Sequence, residues 1–417
     1  MKRRVVITGM GVVSPNGIGR DEFCRAILAG VSGVKRISRF DSGDLPVQIA
    51  GEARDFDELA WIGKHERKHV SRVVPLALAA SSEALEQAGM DTAMLSLKKQ
   101  REVGVALGTG GGAQEFSEEM YRLYFSGHSK QASLYAIPSG TAGTLASELS
   151  MRFGFRGMSH VISTGCTSST DALGYALRQI QFGYLPMMLA GGADAPIAPG
   201  IMKGFTLMRI LTDSWNHAPE RASRPFSADR DGFVLGEGSW MFVLEDYEHA
   251  LARGVQPLAE VVGYGSTCEA FHRVRLQEDG EEPARAIQMA MDDAGIAPAN
   301  IDYVNLHGTS TELNDRIETR ALKVALNCRA HAIPMSSLKS QIGHPQGASG
   351  AAGVAATIIA MHHGKIPPTI NLEKPDPDCD LDYVPDEGRA AAIEYAVCNC
   401  IGFGSKNSAL VVRNVHD

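Results

Sequence analysis

The sequence predicts an α/β protein built from two similar halves, with sheets covered by helices on their faces. Three observations carry this. Short β-branched runs alternate with stretches of helical period, Gly-rich turns recur between them, and one strand–turn pattern appears twice. The strand runs are 5–8 (VVIT), 103–107 (VGVAL), 160–163 (HVIS), 187–190 (MMLA) and 240–244 (WMFVL). Helical periods cover 72–89, 168–183 and 283–295, the last with Pro283 in its first turn and Gly295 as its stop. The repeated pattern is VGVALGTGGG at 103–112 and DYVNLHGTST at 302–311. A second echo pairs HVISTGCTSSTDALGYALRQI at 160–180 with the stretch 333–360. Each of these is a strand, a polar turn with a reactive residue type, and a small-residue helix. Halves of 1–255 and 256–417 would bring both turns to one central site.

The chain has 417 residues, 44% hydrophobic and 21% charged, enough for two core-bearing units of ordinary composition. A net charge of −8 argues against wholesale nucleic-acid binding. Met1-Lys2-Arg3-Arg4 before an apolar run suggests a signal peptide, but Gly9, Gly11 and Pro15 interrupt that run. It reads as a first strand and turn. There is no apolar run of about 18 residues, so no membrane-spanning helix is expected and the location reads as cytoplasmic. The seven cysteines are irregularly spaced and expected to be reduced. Cys398 and Cys400 stand one residue apart, too close for a zinc knuckle, and no metal is expected. A helix over 345–361 carries Gly347, Gly350 and Gly353 at a cost of roughly 2–3 kcal/mol. Such a helix makes sense where it packs closely against another in the centre.

Cys166, in STGCTSS at 163–169, lies between a strand run and a helix. Free amides and the helix dipole there favour a thiolate and lower the thiol pKa, and Gly165 permits a strained turn. His307 ends a strand in NLHGTST, and His344 stands in KSQIGHP with Pro345 placed to open the next helix. One cysteine and two histidines on Gly-bearing turns suit thiol-based acyl transfer, in which sulfur attacks and neutral imidazoles donate or move protons. Lys339 precedes His344 by five residues, and Asp315 and Glu318 share a helix face if that helix starts near Asn314. A lysine–carboxylate network there would orient the histidines. The loop Gly402-Phe403-Gly404 can aim a backbone amide at a ligand, but opens no helix and is no dinucleotide fingerprint. GTGGG at 108–112 lacks the Gly-Lys-Ser/Thr ending of a P-loop.

With TGCTS, HGTST, LKSQIGH and GFG in this order, the chain resembles the β-ketoacyl-ACP synthases of the thiolase-fold superfamily, from VVITGMGVVSPNG at 5–17 to GFGSKNSALV at 402–411. It looks most like the synthase II branch and the ketosynthase α-subunits of type II polyketide systems. STGCTS and CDLDYVP tilt it toward the polyketide side. The resemblance implies a five-layer αβαβα thiolase-like fold, a dimer with an identical or related chain-length-factor subunit, and a decarboxylative Claisen condensation of malonyl-ACP with an acyl group held on Cys166. It gives enolate stabilisation to His307 and His344, an oxyanion hole to the amides of Cys166 and Phe403, gating to Phe403, and support to Lys339 and Glu318. The phosphopantetheine arm belongs to the acyl carrier protein, and no other cofactor is implied. Carrier docking falls on Lys64, Arg67, Lys68 and Arg72, the first three roughly on one helical face, with Lys130 and Arg209 as additions.

Several positions depart from the family's pattern. Gly353 replaces a glutamate that partners the lysine, Ile401 the first phenylalanine of FGFG, and Lys406 a threonine. Gly111 stands where a bulky aliphatic lines the acyl pocket, which implies a roomier pocket. Two other readings remain open. GHPQGASG and Cys400-Ile401-Gly402 are thiolase-like, but thiolases lack the histidine of HGTST and the lysine of LKS. A non-catalytic chain-length-factor-like subunit would replace the nucleophile that this chain keeps.

Overall fold

Why the first strand runs past its glycines is answered by the helix lying on it. The computed structural model describes residues 2–415. In it β1 (Val5–Ser14) is buried throughout, beyond the predicted 5–8. A Cβ on Gly9 or Gly11 would stand 2.0 or 1.9 Å from the Ala84 and Ala80 carbonyls of α1 (Val73–Gln87). The glycines are therefore the contact surface for α1 and not strand breakers. The same device recurs on β6 (Ala259–Cys268), where Gly263 and Gly265 meet Ala290 and Ala286 at 2.0 and 2.2 Å.

Between these strands lie β2 (Val103–Gly108), β3 (Ser159–Ile162), β4 (Met187–Asp194) and β5 (Gly238–Asp246). After β6 come β7 (Ile301–Asn305), β8 (Met335–Ser336), β9 (Tyr395–Gly402) and β10 (Lys406–Arg413). All belong to one sheet in the order β8-β7-β9-β10-β6-β1-β5-β4-β2-β3. Read from either edge, each half runs third, second, fourth, fifth, first strand. The second strand of each set is parallel to the third and fourth, and the fifth is antiparallel. The sets join through Val6↔Glu260 and Ile7↔Ala259. Such parallel cores need helices on both faces.

The helices complete five layers. α1 covers β1, β4 and β5, while α3 (Glu281–Ala294), backed by α4 (Glu312–Leu326), covers β6, β9 and β10. Between the two half-sheets lie α2 (Ser168–Gln181) and α5 (Ser349–His363), packed on each other and on strands of both halves. α5 has no exposed residue before His362, and Gly350 lets it approach α2: a Cβ there would be 1.9 Å from Thr170 Oγ1. The helix predicted over 345–361 is not continuous. Gln346 takes a left-handed φ of 46°, and the Gly347 amide turns to the Asp194 carboxylate at 2.6 Å, leaving a 3₁₀ turn at Gln346–Ala348 before α5. This is the thiolase fold, and it places the turns after β3, β7 and β8 around the ends of α2 and α5. Among the described residues no helix is long and apolar enough to cross a membrane.

Candidate active site

Cys166 sits in the turn between β3 and α2. Gly165 takes φ +71°, and Thr164 and Thr167 both donate to Asp171 on the first turn of α2, at 2.5 and 3.0 Å. Tyr264 from β6 donates to the other Asp171 oxygen at 2.8 Å, so the second half of the chain holds the Cys166 turn of the first. His307 follows β7. His344 follows a one-turn helix at Lys339–Ile342 and is held by backbone, its N–H donating to Val234 O (2.7 Å) and its carbonyl accepting from Gly236 (2.9 Å).

The structure brings these three together. One donor atom from each of Cys166, His307 and His344 lies within 4.8 Å of the others, and all three residues are buried. The imidazoles meet edge to face with centroids 5.3 Å apart. Ser349 Oγ lies 3.0 Å from His344 Nδ1. That spacing would admit a metal ion, but the Lys339 ammonium buried beside the trio opposes a divalent cation.

Lys339 and Glu318 act on one peptide unit. Lys339 Nζ donates to the His307 carbonyl at 2.5 Å, while Glu318 accepts from the His307 and Gly308 amides at 2.7 Å each and from Asn399 Nδ2 at 2.6 Å. The network orients His307 through its backbone. Asp315, on the same face of α4, takes the Thr309 and Phe226 amides and pairs with Arg230 at 3.3 Å. Asp315 and Glu318 are both fully buried, so the i, i+3 spacing marks an inward face.

Burial decides the protonation states. It lowers both histidines well below their ordinary value, with the Lys339 charge adding to the effect, so both are neutral. It pushes the Cys166 thiol up to about 11, outweighing the downward pull of Lys339 and of the amides of Phe403 and Cys166 itself. This corrects the lowered thiol expected from the helix N-terminus: the resting site holds a thiol, because desolvation of the sulfur exceeds what the amides return. Burial likewise raises Glu318 to about 7 and draws Lys339 downward.

A cavity of about 280 Å³ opens over the sulfur. Its walls are largely apolar (Met208, Ile210, Phe233, Leu276, Ile401, Phe403), with Thr309, Thr311 and Arg275 supplying polar contacts. The sequence reading found Ile401 and Phe403 and missed the rest, which carry no motif of their own. A larger groove of about 860 Å³, lined by Arg4, Tyr247 and Arg413, includes none of the site residues. Gly111 is not among the residues lining the cavity at Cys166. Its amide is turned to Asp194 at 3.1 Å, and a Cβ there would face Gln114 Oε1 at 3.3 Å. Asp194 was also missed. Its buried carboxylate, raised to about 6 by desolvation, accepts from Thr109 Oγ1 and the amides of Gly110, Gly111 and Gly347, tying the GTGGG turn to the turn after His344.

The basic cluster divides. Lys64, Lys68, Lys130 and Arg209 are exposed, but Lys64–Glu66 form a turn and Arg67–His69 a 3₁₀ turn, so there is no helical face to share. Arg67 pairs with Glu58. Arg72 is buried between Glu58 and Glu237, the latter at 2.7 Å, and belongs to the core and not to a docking surface.

The β-ketoacyl synthase N-terminal domain profile matches residues 2–250 and the C-terminal domain profile residues 258–373. The chain belongs to the β-ketoacyl synthase family. It is 39% identical to a 3-oxoacyl-[acyl-carrier-protein] synthase 2 of Synechocystis, covering 99% of this chain and 98% of that one. Identity to the actinorhodin polyketide putative beta-ketoacyl synthase 1 of Streptomyces coelicolor is 42%, over 99% of this chain and 89% of that one. Among solved structures, the ishigamide ketosynthase/chain length factor superposes with a TM-score of 0.92 at 32% identity, covering 100% of both chains. A type II ketosynthase solved in complex with its acyl-carrier protein gives 0.89 at 34%, also over 100% of both. As a β-ketoacyl synthase the chain is a condensing acyltransferase.

Proposed function

We propose that this synthase condenses a malonyl unit with an acyl group carried on Cys166, both delivered by acyl carrier protein on its phosphopantetheine arm. The observation that carries the reading is the buried thiol clustered with two neutral imidazoles and met by the amides of Cys166 and Phe403. In the first step the sulfur attacks the acyl thioester, its proton passes to an imidazole, and the pantetheine sulfur leaves and takes up a proton. The two amides stabilise the oxyanion of the tetrahedral intermediate. In the second, malonyl thioester loses CO₂, the neutral imidazoles meet the resulting enolate, and its carbon attacks the Cys166 thioester. Carbon–carbon bond formation regenerates the thiol after protonation. Phe403, half-buried at the cavity wall, gates entry, and Lys339 and Glu318 hold His307.

Support for the partners comes from the surface. Lys64, Lys68, Lys130 and Arg209 offer exposed cations to an acidic carrier. Strand β3 is an open sheet edge, and Phe125, Leu134, Ile137 and Met151 are at least two-thirds exposed, which suits a second related subunit. The chain divides functionally into 1–255, bearing Cys166, and 256–417, bearing both histidines. Intact-mass spectrometry with acyl-ACP and then malonyl-ACP tests the reading. It requires an acyl adduct on wild type and none on Cys166→Ala, followed by CO₂ release and a β-ketoacyl-ACP two carbons longer. An adduct that consumes acetyl-CoA but never malonyl-ACP would transfer the case to a thiolase reaction.

A further inference from the structure

Asp171 is buried on the first turn of α2, and three hydroxyls drawn from both halves of the chain meet its two oxygens. Thr164 and Thr167, one on either side of Gly165-Cys166, reach Oδ2 at 2.5 and 3.0 Å, and Tyr264 reaches Oδ1 at 2.8 Å. The Thr167 hydroxyl also stands 2.9 Å from the Thr164 carbonyl and 3.0 Å from Thr164 Oγ1, and the Ser266 hydroxyl also meets the Tyr264 phenol. A carboxylate turns easily about its last side-chain torsion, which has no sharp minimum. With Oδ2 alone engaged, the point offered to the two threonines would be free to swing. The contact on Oδ1 takes that freedom away.

Tyr264 can serve as the fixed point because both its backbone and its ring are held. Its N–H donates to Asp293 at 3.1 Å, and its carbonyl accepts from Arg178 at 3.3 Å. Arg178 and Asp293 pair at 2.8 Å, and the Arg178 guanidinium lies 5.9 Å over the Tyr264 ring. The ring rests on Gly174 of α2, where a Cβ would stand 2.4 Å from it. None of Tyr264, Asp171, Thr164 and Thr167 lines the cavity over the sulfur.

We propose that Tyr264 is a positioning residue for acyl transfer: acting through Asp171 on Thr164 and Thr167, it sets the aim of the Cys166 amide at the oxyanion. This rests on the condensation reading and deepens it. The amide points where the Gly165-Cys166 peptide plane points, and Gly165, at φ +71°, gives that plane little stiffness of its own. Ser168 holds one part of the turn, its hydroxyl accepting from Thr164 N–H at 2.9 Å and donating to Gly165 O at 2.5 Å. Asp171 holds the residues on either side. Removing the phenol oxygen leaves Oδ1 bare, lets the carboxylate turn, and loosens both threonines together. The cavity wall, the thiol and both imidazoles are untouched, so substrate still binds and the loss falls on the chemical step. Deleting an oxyanion donor outright costs about 10²–10³ in rate, and tilting one costs less, about tenfold.

The test follows single-turnover acylation of Cys166 by acyl-ACP on the full-length protein, read by intact mass. Tyr264→Phe is expected to lower the maximal rate about tenfold and to leave the half-saturating acyl-ACP concentration within about twofold. Asp171→Ala is expected to lower the rate further, and adding Tyr264→Phe to it to change the rate by less than about twofold, since the route through Asp171 is already cut. Amide hydrogen exchange in peptides covering 163–168 should be faster in Tyr264→Phe, with α1 exchanging as in wild type. An unchanged maximal rate in Tyr264→Phe overturns the proposal, as does a loss expressed only in half-saturation, or two losses that multiply in the double variant. Should Asp171→Ala not fold, the Tyr264→Phe kinetics and exchange decide alone. If wild type takes no acyl group at all, the synthase reading fails, while exchange in the turn still decides whether Tyr264 holds it.

Discussion

Removing the Glu318 carboxylate should unfix His307 and unsettle the whole centre. Three donors converge on it: the His307 and Gly308 amides and the Asn399 side chain, at 2.7, 2.7 and 2.6 Å, all buried. A buried donor left without an acceptor costs about 1–3 kcal/mol. Glu318→Ala strands three, which gives roughly 3–9 kcal/mol, and water entering the vacated volume brings this to about 3–5 kcal/mol. Glu318→Gln keeps the volume and one carbonyl oxygen but sets an amide N–H against a donor, for about 2 kcal/mol. The two variants separate further by pH. Glu318 is raised from 4.5 to about 7 in the folded chain, so between these values the native state holds a proton that the unfolded state has lost. Stability therefore falls as pH rises through that window, by about 3 kcal/mol in the limit. Glu318→Gln should flatten this part of the profile. Urea unfolding at pH 5, 6, 7 and 8 measures both effects, and Cys166 acylation should drop about a hundredfold as His307 loses its anchor. A loss below 1 kcal/mol in Glu318→Ala, or an unchanged pH slope in Glu318→Gln, would refute the clamp.

Three further outcomes follow from the same contacts. Gly350→Ala should cost more than about 3 kcal/mol in urea, because its Cβ would meet Thr170 Oγ1 at 1.9 Å; Thr170→Ala added to it should recover part of that loss, and simple additivity would count against the packing argument. The alkylation rate of Cys166 by iodoacetamide should keep rising from pH 7 to pH 10, since the thiol sits near 11, and Lys339→Ala should weaken reactivity further by removing the cation that pulls it down; a plateau by pH 8 would contradict the burial argument. Lys64→Glu with Lys68→Glu should raise the KM for acyl-ACP without moving the urea midpoint, whereas Arg72→Ala should destabilise by about 3–5 kcal/mol by leaving buried Glu237 unpaired.

The cluster of Cys166, His307 and His344 was legible because each member stands in a glycine-bearing turn, where sequence records backbone geometry directly. Glu318 and Asp315 were legible as an i, i+3 pair, and the duplication through Gly-Thr turns after β2 and β7. Other features left no local trace. Asp194 is one aspartate at the end of an apolar strand, and its four donors come from two turns 84 and 153 residues away in sequence. Arg72 read as one of a run of cations, since nothing near it announces Glu237 across the fold. Gly111 was assigned to the pocket by analogy of position, and its amide's turn toward Asp194 could not be seen from spacing. Thiol acidity was misjudged for a related reason: a helix N-terminus is a sequence-local feature, while burial is a property of the assembled halves.

That burial also explains why the site is built as it is. A centre between two half-sheets can hold few net charges, and here the three clustered groups are neutral: a thiol and two imidazoles. The charges are kept one step back. Lys339 and Glu318 are spent on the His307 peptide unit, and Asp171 on the turn that holds Cys166. A fixed field of this kind needs no reorganisation when an oxyanion forms, and its worth rises as water is excluded. Tyr264 of the second half reaches the Cys166 turn of the first, and Gly347 of the second half shares Asp194 with Gly110 of the first. Neither half could position the centre alone, so the small-residue contact between α2 and α5 serves the chemistry as much as the core.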